Sequence, residues 1–226
     1  MSSVQHNESP NLPDRSLVNT WVLASNFRQY LPALRQKCPG IPEDAGAAVG
    51  YIYIDHDCGI SLKIEALLKD DPPGQEPALL LLEDIASIRF RYGSVQALDP
   101  SPLAPERVRL LGLPPAPAWV GLYENPDLRV IRELEWLDPF RARGFFDDVM
   151  ATLPALPGDV PEYIWVRLSR YIPETDRFRG TLLNEPFRDR GIHRGDLVEI
   201  TVERKPAGIS LGVIPARVSP ASGGAP

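Results

Sequence analysis

The chain has 226 residues, of which 43% are hydrophobic and 24% charged, a balance that builds an ordinary globular core and excludes a wholly disordered protein. Its formal net charge of −6 argues against a surface that tracks nucleic-acid phosphates and suits a basic protein partner. Proline is the unusual component: 25 of them, spread between short apolar runs, disfavour long helices and predict short strands joined by stiff loops.

Residues 1–15 are polar and proline-containing, so they are expected to be disordered, and they hold no apolar segment of the signal-peptide kind. The longest apolar run, Ala78 to Leu82, is too short to span a bilayer. No membrane association is expected, and the cytoplasm is the expected location. Leu17 to Ala24 reads as a first strand, with Trp21 and Leu23 sharing a face. Ser25 or Asn26 offers a cap for a short helix carrying Phe27, Tyr30, Leu31 and Leu34, with Pro32 as an alternative start. Val49 to Ile54 is β-branched and aromatic, a strand ended by Asp55-His56-Asp57. Ile60 to Leu68 fits either a strand or a short helix.

Asp71-Pro72-Pro73-Gly74 is a break, after which Ala78 to Leu82 reads as a buried strand. From Ala86 to Tyr92 the pattern alternates, Ile88, Phe90 and Tyr92 against Arg89 and Arg91, as in a half-buried strand. Val108 to Leu113 and Trp119 to Tyr123 read as further strands between proline-rich connectors. Asn125-Pro126-Asp127 is a turn signal, and Leu128 to Leu137 reads as strand or mixed structure. Asp138-Pro139 predicts a helix start, with Phe146, Val149, Met150 and Leu153 at core-facing helical spacing. Pro154, Pro157 and Gly158 would end that helix and mark a domain boundary.

Three further strands are predicted at Ile164 to Ser169, Phe178 to Leu183 and Leu197 to Val202. Gly180 inside the second predicts a bend or a close backbone approach. Turns at Asn184-Glu185-Pro186 and Gly191 to Asp196 separate the second strand from the third. So many short strands in so few residues need a curled sheet or small barrel to bury their apolar faces. The expected architecture is α+β. A mostly antiparallel sheet domain with few short helices covers residues 16–157 and a small barrel-like β unit residues 158–205, and a Pro/Gly/Ser/Ala-rich tail covers 206–226.

Within that unit, Trp165-Val166, Gly180-Thr181-Leu182-Leu183-Asn184-Glu185-Pro186, Gly191, Gly195-Asp196 and Val198 form a series. It resembles the YegJ-like bacterial domains of unknown function, whose pattern is a W-V strand, a G-x-L-x-N-x-P turn and a G-x-x-x-G-x-x-V close. Where such domains carry an acidic-tryptophan ending, this chain has Glu203-Arg204-Lys205-Pro206. The resemblance implies structural roles for Trp165, Gly180, Leu182, Asn184, Pro186, Gly191, Gly195, Asp196 and Val198, and no catalytic residue. Related small domains occur among bacterial immunity proteins, so it also implies a cognate secreted toxin as partner.

Asp55-His56-Asp57-Cys58 is the densest cluster of reactive side chains and could form a metal site or an acid–base cluster. Adjacent strand residues point to opposite faces, which favours a solvated strand end instead. His6 and His193 fall in the tail and in a turn. Cys38 and Cys58 could remain thiols or pair, and a reducing compartment favours thiols. Ser25 and Ser61 lack the G-x-S-x-G elbow, and there is no P-loop, dinucleotide glycine motif or paired-cysteine zinc pattern. No metal, cofactor or catalytic residue is therefore expected.

Arg167, Arg170, Arg177, Arg179, Arg188, Arg190 and Arg194 could hold carboxylates bidentately, or RNA with Phe178, Phe187 and Tyr171 stacking on bases. Interleaved acidic residues favour mixed surface ion pairs. Trp119 to Tyr123 and the Phe140, Phe145 and Phe146 cluster could form an aromatic interface or simply pack a core. The leading expectation is a non-enzymatic protein-binding module, an immunity protein that occludes a toxin's active site. Acidic residues at strand ends, Asp55, Asp57, Glu83 and Asp84, would meet a basic toxin face, and no nucleic-acid partner is expected. The alternatives are a metal- or cysteine-dependent enzyme using Asp55 to Cys58, and an RNA-binding β-barrel.

Overall fold

The computed structural model describes residues 13–37, 39–41, 43–69, 79–81, 88–154 and 160–215. The protein is α+β, a mostly antiparallel sheet with few short helices followed by a closed five-strand barrel. Two units divide at Tyr123/Glu124. The expected boundary after residue 157 is therefore displaced, because the strand before it belongs to the barrel. The expected disorder of residues 1–15 lies outside the described residues except at its end, where a 3-10 turn, Pro13–Leu17, begins. Among the described residues no helix is long and apolar enough to cross a membrane.

The first unit is built on β1 (Thr20–Ala24), β2 (Ala45–Asp55), β3 (Gly59–Lys69), β4 (Leu79–Leu81), β5 (Arg89–Arg91) and β6 (Pro100–Pro102). The sheet runs β4-β3-β2-β1-β6, with β5 also paired to β3. β6 tolerates its prolines because it pairs only with β1, at an edge where missing amide donors cost nothing. Trp21, Val49, Tyr51 and Tyr53 share one face with Val108, Leu113 and Val120. Val22, Ile52, Ile54 and Leu62 are buried on the other face. There a 3-10 turn (Ser25–Tyr30) leading into α1 (Leu31–Lys37), and α2 (Tyr92–Ala97), pack against the sheet. With both faces covered, β2 reads as a continuous apolar run, and β3 resolves the strand-or-helix ambiguity of Ile60 to Leu68 in favour of strand.

Two segments predicted as strands are helical. Val108 to Leu113 lies in α3 (Pro105–Leu110) and its C-terminal turn, and Trp119 to Tyr123 forms a 3-10 turn, Ala118–Tyr123. Proline at the first position of α3 and Gly112 just past its end, at φ +67°, are its start and stop. The Leu113 amide donates to the Val108 carbonyl and the Gly112 amide to that of Arg109, the paired bonds of a Schellman cap.

The second unit opens with α4 (Pro126–Glu133). Asn125 caps it, its side chain accepting from the Asp127 amide at 2.9 Å, and the helix buries Leu128 and Ile131. The expected strand or mixed structure over Leu128 to Leu137 is thus a helix followed by a 3-10 turn, Glu135–Phe140. The helix predicted after Asp138-Pro139 is also corrected: a two-residue β7 (Arg141–Ala142) turns into β8 (Phe145–Leu153). β9 (Glu162–Ile172), β10 (Arg177–Leu182), β11 (Leu197–Lys205) and β12 (Gly208–Pro215) complete the unit. The residues expected to start a tail at 206 thus form the turn into β12, and residues 216–226 lie outside the described residues.

β8 to β12 run as an antiparallel meander. An odd number of strands leaves the first and last parallel, and the Gly212–Thr152 pairing closes the barrel. Val149, Ile164, Val166, Phe178, Ile200 and Val213 fill its interior beside Leu128 and Ile131 of α4. Each such apolar side chain contributes about 1.5–3 kcal/mol on burial.

Candidate functional site

The Asp55 to Cys58 cluster forms the β2–β3 turn. The Asp55 carboxylate accepts the amides of Asp57 at 2.9 Å and Cys58 at 3.0 Å, an Asx turn that closes the hairpin. That is a structural occupation of the side chain. Asp57 is exposed, and Cys58 is a half-buried free thiol. Among the described residues no three His, Cys, Asp or Glu side chains are grouped to hold a metal ion. Glu83, Asp84 and Cys38 lie outside the described residues.

Trp119 and Tyr123 pack into the first unit's core. The Tyr53 ring lies 4.8 Å from Trp119 and 4.6 Å from Tyr123, centroid to centroid. The Trp119 indole donates to Glu65 at 2.8 Å, with the Lys63 ammonium 4.6 Å above its ring, and Arg89 donates to the Tyr123 hydroxyl at 2.8 Å. Burial is the main reason that the Tyr53 phenol is held far above its ordinary value. Phe146 is likewise buried, beside Arg141.

In the second unit the motif residues organise one end of the barrel. Gly180 sits where β9 and β10 approach so closely that a Cβ would lie 2.5 Å from the Arg167 carbonyl oxygen. A bulge interrupts the ladder there. Leu182 exchanges bonds with the following turn, donating to Asp196 O at 3.0 Å and accepting from the Gly195 amide at 2.9 Å. Leu183 donates to Trp165 O at 2.9 Å, and as the chain leaves the sheet the Asn184 side chain accepts the Trp165 amide at 2.8 Å. That amide would otherwise be an orphan at the strand edge.

Asp189 and Asp196 accept the amides of Gly191 and His193, and both turn glycines have positive φ, +67° and +94°. Pro186 and Val198 are buried. Glu185 accepts from the Arg194 amide at 2.9 Å and pairs with His193 at 2.6 Å. These two contacts, the Arg194 amide first, lower the Glu185 carboxyl, and Glu185 raises the His193 imidazole.

The arginines divide. Arg167 makes a bidentate pair with Asp148, at 2.8 and 3.1 Å, and Arg177 pairs with Glu199 at 3.1 Å, as the mixed-ion-pair expectation requires. Of the residues expected to stack on bases, Phe178 is fully buried and Tyr171 packs on it at 4.7 Å. Phe187 alone is open, 90% exposed.

Trp165 has unexpected company. Met150 is its cross-strand partner, Tyr163 lies two residues away on the same face of β9, and the backbone of Phe187 is held by the Glu162 side chain. All four are exposed, Tyr163 at 67% and Met150 and Trp165 near two-fifths (39% and 37%). Sequence reasoning overlooked Tyr163 and Met150. The alternation of the predicted Ile164 to Ser169 strand, extended by one residue, could have found Tyr163 on the face of Trp165, whereas Met150 was hidden by the helical reading. No family model, curated protein or solved structure matches the chain. The likeness to YegJ-like domains rests on the motif residues alone.

Proposed function

We propose that the protein is a protein-binding module whose contact surface is the outer face of β8 and β9. The observation that carries this reading is the exposed group of Met150, Tyr163 and Trp165 on that face, with exposed Phe187 bonded through its amide to the neighbouring Glu162. Clustered exposed aromatic and thioether side chains are the composition of interface centres. The β-ladder beneath them and the bonds from Leu183 and Asn184 hold the Trp165 backbone in place, so little ordering is left for binding to impose. The motif's likeness to domains found among immunity proteins makes a secreted toxin the partner class, bound by occlusion of its active site. Asp55 and Asp57, the contact residues expected at strand ends, belong to the β2–β3 turn of the first unit.

The test is growth rescue. The chain is co-expressed with candidate toxins drawn from the genes beside its own, and growth is expected to recover with one of them. The recovery is expected to disappear in Tyr163→Ala/Phe187→Ala, two exposed positions whose truncation is expected to leave the melting temperature unchanged. Arrest despite expression would sink the immunity role, and full rescue by the double variant would sink the surface.

A further inference from the structure

The bulge between β9 and β10 has an electrostatic consequence. Leu168 faces Gly180 and Arg170 faces Arg179, so Ser169 is the extra residue. In a regular strand Arg170 would share the inward face of Leu168. The bulge turns it outward and sends Tyr171 in against Phe178. Two arginines thereby stand directly opposite each other on the exposed face, an arrangement that repels.

Neither is neutralised closely. The Arg170 side chain makes no hydrogen bond or ion pair with any described residue. Arg179 is 59% exposed and reaches only Glu199, at 3.9 Å, and that carboxylate is already held by Arg177 at 3.1 Å. At about 3.3 Å per residue, Arg170 lies roughly 16 Å along β9 from Trp165, the span of an extended segment of about five residues. Exposed Leu197 lies on the same outer face, in the row of Arg167 and Thr181.

We infer that the outer face of β9 and β10 docks an acidic segment of a partner protein, carboxylates meeting Arg170 and Arg179 while an apolar residue meets Trp165. This rests on the binding reading above and names its chemistry. Guanidinium pairs suit carboxylates, which they hold bidentately. A nucleic-acid strand needs a continuous basic track, and here Asp148 and Glu199 interrupt the row and the chain carries a net charge of −6.

The full chain is titrated with a blocked hexaglutamate peptide, a hexalysine control and single-stranded hexathymidine, followed by two-dimensional NMR. Hexaglutamate is expected to shift the Arg170 and Arg179 signals, and its affinity to fall at least about tenfold in Arg170→Ala/Arg179→Ala. It is expected to keep most of its affinity in Tyr163→Ala/Phe187→Ala. Absence of those shifts, equal affinity in the arginine variant, or tighter binding of hexathymidine overturns the inference, the last in favour of a nucleic-acid surface. Should Arg170→Ala/Arg179→Ala not fold, Arg170→Gln alone is read in the same way. Growth rescue without hexaglutamate binding overturns this inference and leaves the binding reading intact. Hexaglutamate binding without rescue sinks the immunity role and leaves this inference and the binding reading intact.

Discussion

Gly180 shows how much one side chain decides here. A methyl group at that position would meet the Arg167 carbonyl oxygen at 2.5 Å and Val166 Cγ1 at 2.7 Å, in a ladder that has no room to open. Gly180→Ala is expected to lower stability by about 1–3 kcal/mol, read as a lower denaturant midpoint at unchanged slope. An unchanged midpoint would mean that β9 and β10 can separate at no cost. This role was legible in the sequence, because a glycine inside an apolar strand has few other uses. The role of Asp55 was not. Asp55-His56-Asp57-Cys58 reads equally as a ligand cluster or a turn, and only the two amides on the Asp55 carboxylate decide between them.

Among the elements, α3 and β8 were misread for opposite reasons. For α3 the information was present: Pro105 and Gly112 bracket the helix, yet the apolar Val108 to Leu113 run outweighed them as a strand pattern. Asn125-Pro126 was likewise a helix cap before it was a turn. For β8 the information was absent. Phe146, Val149, Met150 and Leu153 mimic a helical face, and adjacent Asp147 and Asp148 do not look like strand interior. Both are nonetheless buried, one on each face, because Arg132 of α4 holds Asp147 at 2.9 and 2.6 Å and Arg167 of β9 holds Asp148. Removing one member of such a pair leaves a buried charge. Asp147→Ala is therefore expected to cost about 3–5 kcal/mol in urea unfolding. The Arg132→Met/Asp147→Leu double variant should recover most of that loss, and a single-variant loss below about 1 kcal/mol would contradict the assignment.

At the scale of the molecule, the barrel contains its own closure and its own core, filled by β8 to β12 and α4. The fragment from Glu124 to Pro226 is expected to fold by itself, with a β-type circular dichroism spectrum and one cooperative thermal transition. A fragment that stays unfolded would show that the division at Tyr123/Glu124 is geometric only. The sequence by itself determined the α+β class, the short strands, the turn chemistry of Asn184 to Asp196 and the curled character of the C-terminal unit. Local composition, glycine placement and period-two burial suffice for those. Only the tertiary structure decided where the units divide, that β8 is a strand, and that Arg170 and Arg179 face outward together. Each depends on partners far away in the chain: a closing strand at Gly212, arginines that neutralise buried aspartates, and a bulge that reverses the inside and outside of β9.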